Sequence, residues 1–232
     1  MEKFFEKHET LICILLIVLY VVINSYCMQN FGVENYKTTI INTIFSIALI
    51  VLIIMLKRTS YYGLTKVKNP KKYLYFLPLL LIASINLWNG ININNTKSEI
   101  IFHILSMINV GFIEEIIFRG FLFKMIEKDN VKRAIIISAI TFGIGHIVNL
   151  INGADLVPTL IQICYAVSIG FLFVTIFYKS KSIIPCIITH SLINALSIFN
   201  VENTIISLYV APIVLIIVPI LYTIYINKTI KE

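Results

Sequence analysis

Charge is what this sequence has least of. Asp, Glu, Lys and Arg supply 13% of 232 residues against 58% hydrophobic, and the mean hydropathy is +0.90. A water-soluble domain of this length cannot hide so much apolar surface, so soluble enzymes and binding modules are excluded. Also missing are any low-complexity tract, any polar stretch long enough for a soluble domain, and any convincing internal repeat. The cysteines Cys13, Cys27, Cys164 and Cys186 form no CxxC pair. That removes a disulfide framework and a zinc ribbon, and leaves them as small apolar residues of apolar spans. HExxH is absent, and Ser191 follows His190 directly, so on a helix it faces away and makes no Ser–His dyad. Lys3 and Lys7 precede an apolar stretch, but it is too long for a signal-peptide core. Asn24, Ser25 and Tyr26 follow it in place of a small-x-small cleavage site, which predicts a retained first helix.

What is present is a series of apolar runs divided by polar breaks. A membrane-crossing helix needs about 20 residues. The runs predict an all-α, polytopic membrane protein of about eight spans: Leu11–Cys27, Ile40–Leu56, Tyr73–Trp88, Ile100–Phe123, Ala134–Leu150, Val157–Tyr178, Ile183–Phe199 and Thr204–Ile226. The longest polar stretch, Lys57–Lys72, contains Gly63 and the helix-stopping pair Asn69-Pro70. It divides an N-terminal hairpin with its basic loop (1–72) from a six-helix catalytic bundle (73–232), with a motif core at about 100–200. With both termini cytoplasmic, 16 of the 19 Lys and Arg residues fall inside, Lys37 and Lys97 fall outside, and Arg119 is in the membrane. This asymmetry fixes orientation by the positive-inside rule and points to the plasma membrane. A net charge of +7 spread over five segments is not a nucleic-acid patch, so no nucleic acid is expected as partner.

Six polar residues stand where lipid should forbid them: Glu114, Glu115, Arg119, His146, His190 and Asn194. A charge at the bilayer centre costs roughly 2.5–3.5 kcal/mol or more, so such residues pair, face a wet cavity or do chemistry. In Gly111-Phe-Ile-Glu-Glu-Ile-Ile-Phe-Arg-Gly120, Glu115 and Arg119 are four apart with the acid first, the favourable order for a helical ion pair. Glu114 is turned about 100° away and lacks that partner. In Phe142-Gly-Ile-Gly-His146, Gly143 and Gly145 strip side chains from one turn, letting another helix or a substrate approach. In His190-Ser-Leu-Ile-Asn194, imidazole and carboxamide share a face one turn apart. At about 1.5 Å per residue from the cytoplasmic ends, Glu114, His146, His190 and Asn194 lie roughly 14, 18, 10 and 16 Å deep. Three helices therefore place their polar groups in one slab. A carboxylate there can act as general base toward water. An imidazole can hold the same water, and His with Asn can donate to an oxyanion. The set suits hydrolysis of a carbonyl compound, most simply a peptide bond. The N-terminal part offers Asn24 and Asn42 but no acid–base group, so functional interest falls between Gly111 and Leu196.

The runs Glu114-Glu115-Ile-Ile-Phe-Arg119-Gly120, Phe142-Gly-Ile-Gly-His146 and His190-Ser-Leu-Ile-Asn194 resemble EExxxR, FxxxH and HxxxN. In that order these motifs mark the CAAX-protease and bacteriocin-processing (Abi) family of intramembrane proteases. The resemblance covers roughly Gly111 to Leu196 and has no departure at a motif position. It implies an eight-helix bundle with a membrane-embedded site reached from the cytoplasmic side. Glu114 would activate water with His146, His190 and Asn194 would stabilise the oxyanion, and Glu115 with Arg119 would be the orienting pair. The family has been described both as metalloproteases and as metal-independent glutamate proteases. A zinc ion, if one is used, would take Glu114, His146 and His190 and keep a fourth position open. The missing HExxH and the poor ligand Asn favour water activated by Glu114 with no cofactor.

The substrate expected is a membrane-associated peptide or protein. Eukaryotic members of the family cut prenylated CAAX proteins. No prenyl pocket is marked here, and the Ile-, Asn- and Lys-rich composition has a microbial look. A bacteriocin precursor, a signalling peptide or a maturing surface protein fits that better. Two other classes remain open on the residues: a non-catalytic bacteriocin self-immunity or scaffold protein, and a transporter or proton pathway, which also carries intramembrane Glu, His and Arg.

Overall fold

Burial in the computed structural model runs opposite to that of a soluble protein. It describes residues 2–201 and 204–230, so Lys231, counted above among the inside charges, lies outside the described residues. On the first long helix Ile14, Leu15, Val18 and Val22 are exposed, while Thr38, Thr39, Asn42, Ser46 and Ser106 are buried. Apolar faces of that extent require lipid around them. Among the described residues every regular element is helical.

Eight helices carry labels here: α1 (Glu9–Asn30), α2 (Tyr36–Met55), α3 (Leu77–Ala83), α4 (Lys97–Glu115), α5 (Val131–Gly145), α6 (Leu156–Ser180), α7 (Ile184–Leu196) and α8 (Ala211–Thr229). The α4 helix continues without a break through a π-helical stretch, Ile116–Phe123, into Lys124–Glu127. Among the described residues six helices are long and apolar enough to cross a membrane, the 31-residue Lys97–Glu127 being the longest, and Ile184–Phe199 is a shorter apolar helix. The multi-pass, all-α architecture expected from the apolar runs is present.

The span expected over Tyr73–Trp88 is not one helix. It is divided into a 3-10 stretch (Pro70–Phe76), α3 and a second 3-10 turn (Ile85–Leu87). Pro70 and Pro78 each open a helical segment, since proline suits the first turn and breaks an interior one. Between them Leu74, Tyr75 and Phe76 are all left-handed, with φ of 50°, 50° and 61°. Apolarity alone could not distinguish this broken segment from a spanning helix.

Local sequence explains the long helices that carry the motifs. The α4 helix begins in a capping box, with the Thr96 hydroxyl accepting from Glu99 N and the Glu99 carboxylate accepting from Thr96 N at 2.7 Å. For α5 the cap is Asn130, which accepts from Arg133 N at 2.9 Å. Buried residues on α1 are Cys13, Tyr20 and Cys27, seven apart, a single stripe turned toward the bundle. The α2–α4 seam is polar: Thr39 Oγ1 lies 2.9 Å from Ser106 Oγ, and Asn109 donates to Thr43 Oγ1 at 3.1 Å. Hydrogen bonds of this kind replace the hydrophobic drive that lipid removes.

The connecting segments gather at two ends. At one end Arg58 pairs with Glu6 at 2.5 Å, Lys128 pairs with Glu9, and Ser182 Oγ donates to Thr65 O. At the other end Gln29 donates to Asn152 Oδ1 at 3.1 Å, and Asn92 N to Phe199 O at 2.9 Å.

Candidate active site

Glycine sets the spacing on which the site depends. A Cβ at Gly111 would come within 2.7 Å of Ser191 N and 2.9 Å of Ser191 Cα. The bare backbone therefore lets α4 and α7 touch one turn from Glu114, Glu115 and His190. Ser191 Oγ donates to Ile108 O at 3.2 Å and fastens the same crossing. A Cβ at Gly143 would lie 2.8 Å from Val167 N, so α5 and α6 meet the same way. Gly145 has nothing within 4 Å of its absent Cβ and lines a small cleft instead. Of the two openings the Gly-x-Gly spacing allowed, Gly143 serves a helix and Gly145 serves open space.

Glu115 and Arg119 are fully buried and pair at 3.1 Å, the ion pair expected from their spacing. Glu115 does more than that. Its Oε1 also lies 2.9 Å from His190 Nδ1. An ionised carboxylate can only accept, so Glu115 holds a proton on Nδ1 and turns Nε2 toward Glu114. There Nε2 stands 3.5 Å from Glu114 Oε2. The Arg119 guanidinium lies 4.0 Å over the Phe142 ring and 5.6 Å from that of Phe173, where cation–π attraction takes the place of hydrogen bonds. Phe142 also meets His146 and His190 edge-on, each at 5.5 Å. One aromatic ring thus spaces the cation and both imidazoles.

His146 was expected inside a span running to Leu150. The α5 helix ends at Gly145, and His146 is its C-terminal cap, its N–H turned back to Gly143 O at 3.2 Å. The two glycines weaken helix continuation at that point. His146 therefore sits at a turn, where its ring and Glu114 line one cleft of about 50 Å³. That volume holds a few water molecules. Asn194 lies half-buried one turn beyond His190, outside the residues that line this cleft. Its backbone carbonyl lies 3.2 Å from His103 Nε2, and His103 Nδ1 lies 3.7 Å from Glu34.

Tyr20, Asn24, Asn149 and Phe142 line this cleft, and the sequence reading gave none of them a role in it. Tyr20 donates to Glu114 Oε1 at 2.5 Å, and Asn24 and Asn149 line the cleft. The Phe142–His146 spacing of four was a usable signal for Phe142. Nothing local marks Tyr20 or Asn24, which lie on α1, some ninety residues before Glu114. The π-helical stretch was equally invisible in sequence, although such widened turns recur at functional sites. Ser138 Oγ donates to the Phe118 carbonyl within it at 2.9 Å and ties it to α5.

The residues named for a metal were Glu114, His146 and His190. Glu114 and His190 stand 3.5 Å apart, and His146 lines the cleft with Glu114. Among the described residues no group of three His, Cys, Asp or Glu is arranged to hold a metal ion.

Residues 96–196 match the family model described as type II CAAX prenyl endopeptidase Rce1-like. Neither a curated protein nor a solved structure matches the chain. The matched stretch opens at the Thr96 capping residue, closes at the last residue of α7, and contains all three motifs with the glycines that pack them. By that match and those motifs, residues 96–196 are similar to the Rce1-like type II CAAX prenyl endopeptidases.

Proposed function

We propose that this protein is an intramembrane endopeptidase that cuts a peptide bond in a membrane-associated peptide or protein, with Glu114 as the base that activates water. The observation that carries this reading is a convergence. Glu114 on α4 and His190 on α7 stand 3.5 Å apart, and Glu114 shares a water-sized cleft with His146 at the end of α5. Tyr20 occupies Oε1 of Glu114, which leaves Oε2 to accept from a water in the cleft beside the His190 imidazole. Glu114 would take one proton from that water as its oxygen attacks the carbonyl carbon. The tetrahedral oxyanion would be met by His190 when Nε2 as well as Nδ1 carries a proton, with Asn194 one turn on if the substrate lies along α7. Collapse breaks the C–N bond, and the proton held by Glu114 passes to the leaving amine. His146 would orient the water from the opposite wall. No step uses a metal.

The bilayer setting supports a substrate that is itself membrane-bound, and the family points to the C-terminal tail of such a protein as the first candidate. We place both termini in the cytoplasm and the protein in the plasma membrane. The end of the bundle joining loop 57–69, the segment after Phe123 and the turn at 180–183 carries the excess of Lys and Arg. On this reading the N-terminal hairpin is part of the catalytic unit, because Tyr20 and Asn24 reach the cleft.

The experiment is cleavage of a membrane-tethered reporter peptide by purified protein in liposomes. Glu114→Ala, His146→Ala and His190→Ala should each remove cleavage while the protein stays folded, and a chelator should leave the wild-type rate unchanged. Full activity of Glu114→Ala would refute the mechanism. Protection against a bacteriocin that survives all three substitutions would favour the non-catalytic reading instead.

A further inference from the structure

At the lysine-rich end of the bundle, loop 57–69 is clamped to the start of α7: Ile183 N donates to Gly63 O at 2.9 Å, and Ser182 Oγ donates to Thr65 O. The clamp frames two adjoining cavities. One is a cleft of about 500 Å³ whose cationic lining is Lys66, Lys68, Lys72, Lys179 and Lys181. Among the described residues no Asp or Glu lines it, and Thr65 and Ser180 add hydroxyls to its wall. The other is a groove of about 300 Å³ between α3 and α7, lined by Leu79, Leu80, Ile184, Ile188 and Leu192. Lys66 lines both.

The wall between them is aromatic and strained. Tyr73 lines the basic cleft and Phe76 the apolar groove, and their rings stack at 5.2 Å. The three left-handed residues Leu74–Phe76 hold that stack in place. Consecutive left-handed L-residues are costly and persist where the surroundings over-determine them, commonly at ligand sites. Leu80 and Ile188 are 59% and 54% exposed, so the groove opens sideways toward lipid rather than toward water.

We propose that the two cavities form one binding site for an anionic glycerophospholipid, its phosphate headgroup among the lysines and an acyl chain along the α3–α7 groove. The charge of the cleft selects the headgroup. Basic pockets between helices at a membrane surface are recognised sites of this kind. A neutral lipid would leave Lys66, Lys68 and Lys72 without an anion, and a soluble anion would leave the groove unfilled. The site is separate from the catalytic cleft and does not depend on the assignment of Glu114.

The test is native mass spectrometry of the full chain in neutral detergent, offered phosphatidylglycerol or phosphatidylcholine of matched chain length. Phosphatidylglycerol should be retained at least fivefold more than phosphatidylcholine. The triple variant Lys66→Gln, Lys68→Gln, Lys72→Gln should lose that preference, and Leu80→Trp, which fills an exposed groove position, should lower retention at least fivefold. Lys128→Gln with Lys132→Gln, at the same end but outside the cleft, should behave as wild type. Thermal unfolding in the same detergent checks that each variant is folded; if the triple variant unfolds, Lys68→Gln alone serves in its place. Equal retention of the two lipids, or unchanged retention in the lysine variants, would overturn the proposal. Loss in the lysine variants with full retention in Leu80→Trp would also overturn it, because the acyl chain would then lie elsewhere.

Discussion

The Tyr20 hydroxyl donates to Glu114 Oε1 at 2.5 Å, joining α1 to α4 across 94 positions of sequence. Tyr20 is 5% exposed and stands on the stripe of α1 that faces the bundle. The bond holds one oxygen of the carboxylate and so aims the other. Hydrogen bonds to charged groups are worth about 1.5–3 kcal/mol, or roughly 10–100-fold in rate if the bond matters equally in the transition state. Tyr20→Phe should lower kcat by about tenfold or more and leave KM nearly unchanged. Steady-state kinetics in liposomes measures both. An unchanged kcat would reduce Tyr20 to a packing residue.

The adjacent glutamates should separate cleanly on mutation. Glu114 borders the cleft and Glu115 is sealed behind it, pairing Arg119 and His190. Glu114→Gln is isosteric and should keep the thermal midpoint within a few degrees while abolishing cleavage. Glu115→Gln should lower the midpoint as well as the activity. Parallel melting and cleavage assays would show the split, and identical behaviour of the two variants would contradict it.

Removing Arg119 leaves Glu115 as a buried charge with only His190 to answer it. Breaking a buried pair in this way costs about 3–5 kcal/mol. Arg119→Ala should therefore be strongly destabilised, as read by denaturant unfolding in mixed micelles. Arg119→Lys should recover only part of the loss, because an ammonium cannot lie flat on the Phe142 ring as the guanidinium does.

Gly111→Ala and Gly145→Ala should differ in kind. At Gly111 the new Cβ meets backbone atoms of Ser191 below 3 Å, so α7 must shift and carry His190 with it. Overpacking of this sort costs about 1–3 kcal/mol, and both stability and cleavage should fall. At Gly145 the Cβ meets nothing within 4 Å and enters the cleft. Stability there should hold while activity declines, since the methyl takes up space for water. Melting temperature and rate, measured on both variants, decide this.

Much of the fold was legible because lipid imposes a simple rule: long apolar runs become helices. That rule gave the all-α class and the long spans, and it failed at Tyr73–Trp88, where two prolines and a left-handed turn divide an apolar segment. The Glu115–Arg119 pair was legible for the same kind of reason, since helical periodicity fixes what stands four residues away. Glu114, His146 and His190 could be brought to a common depth by counting, but depth does not give direction.

What the sequence determined by itself was a membrane bundle with its costly polar groups at one level, because both follow from local periodicity and the energetics of hydrocarbon. What only the tertiary structure decided was which of those groups meet. Glu115 holds His190 as well as Arg119, Tyr20 from the first helix caps Glu114, and His146 stands at a helix end beside the cleft while Asn194 does not line it. These contacts depend on how helices cross, and the crossings are set by close approaches at Gly111 and Gly143 that no single helix encodes.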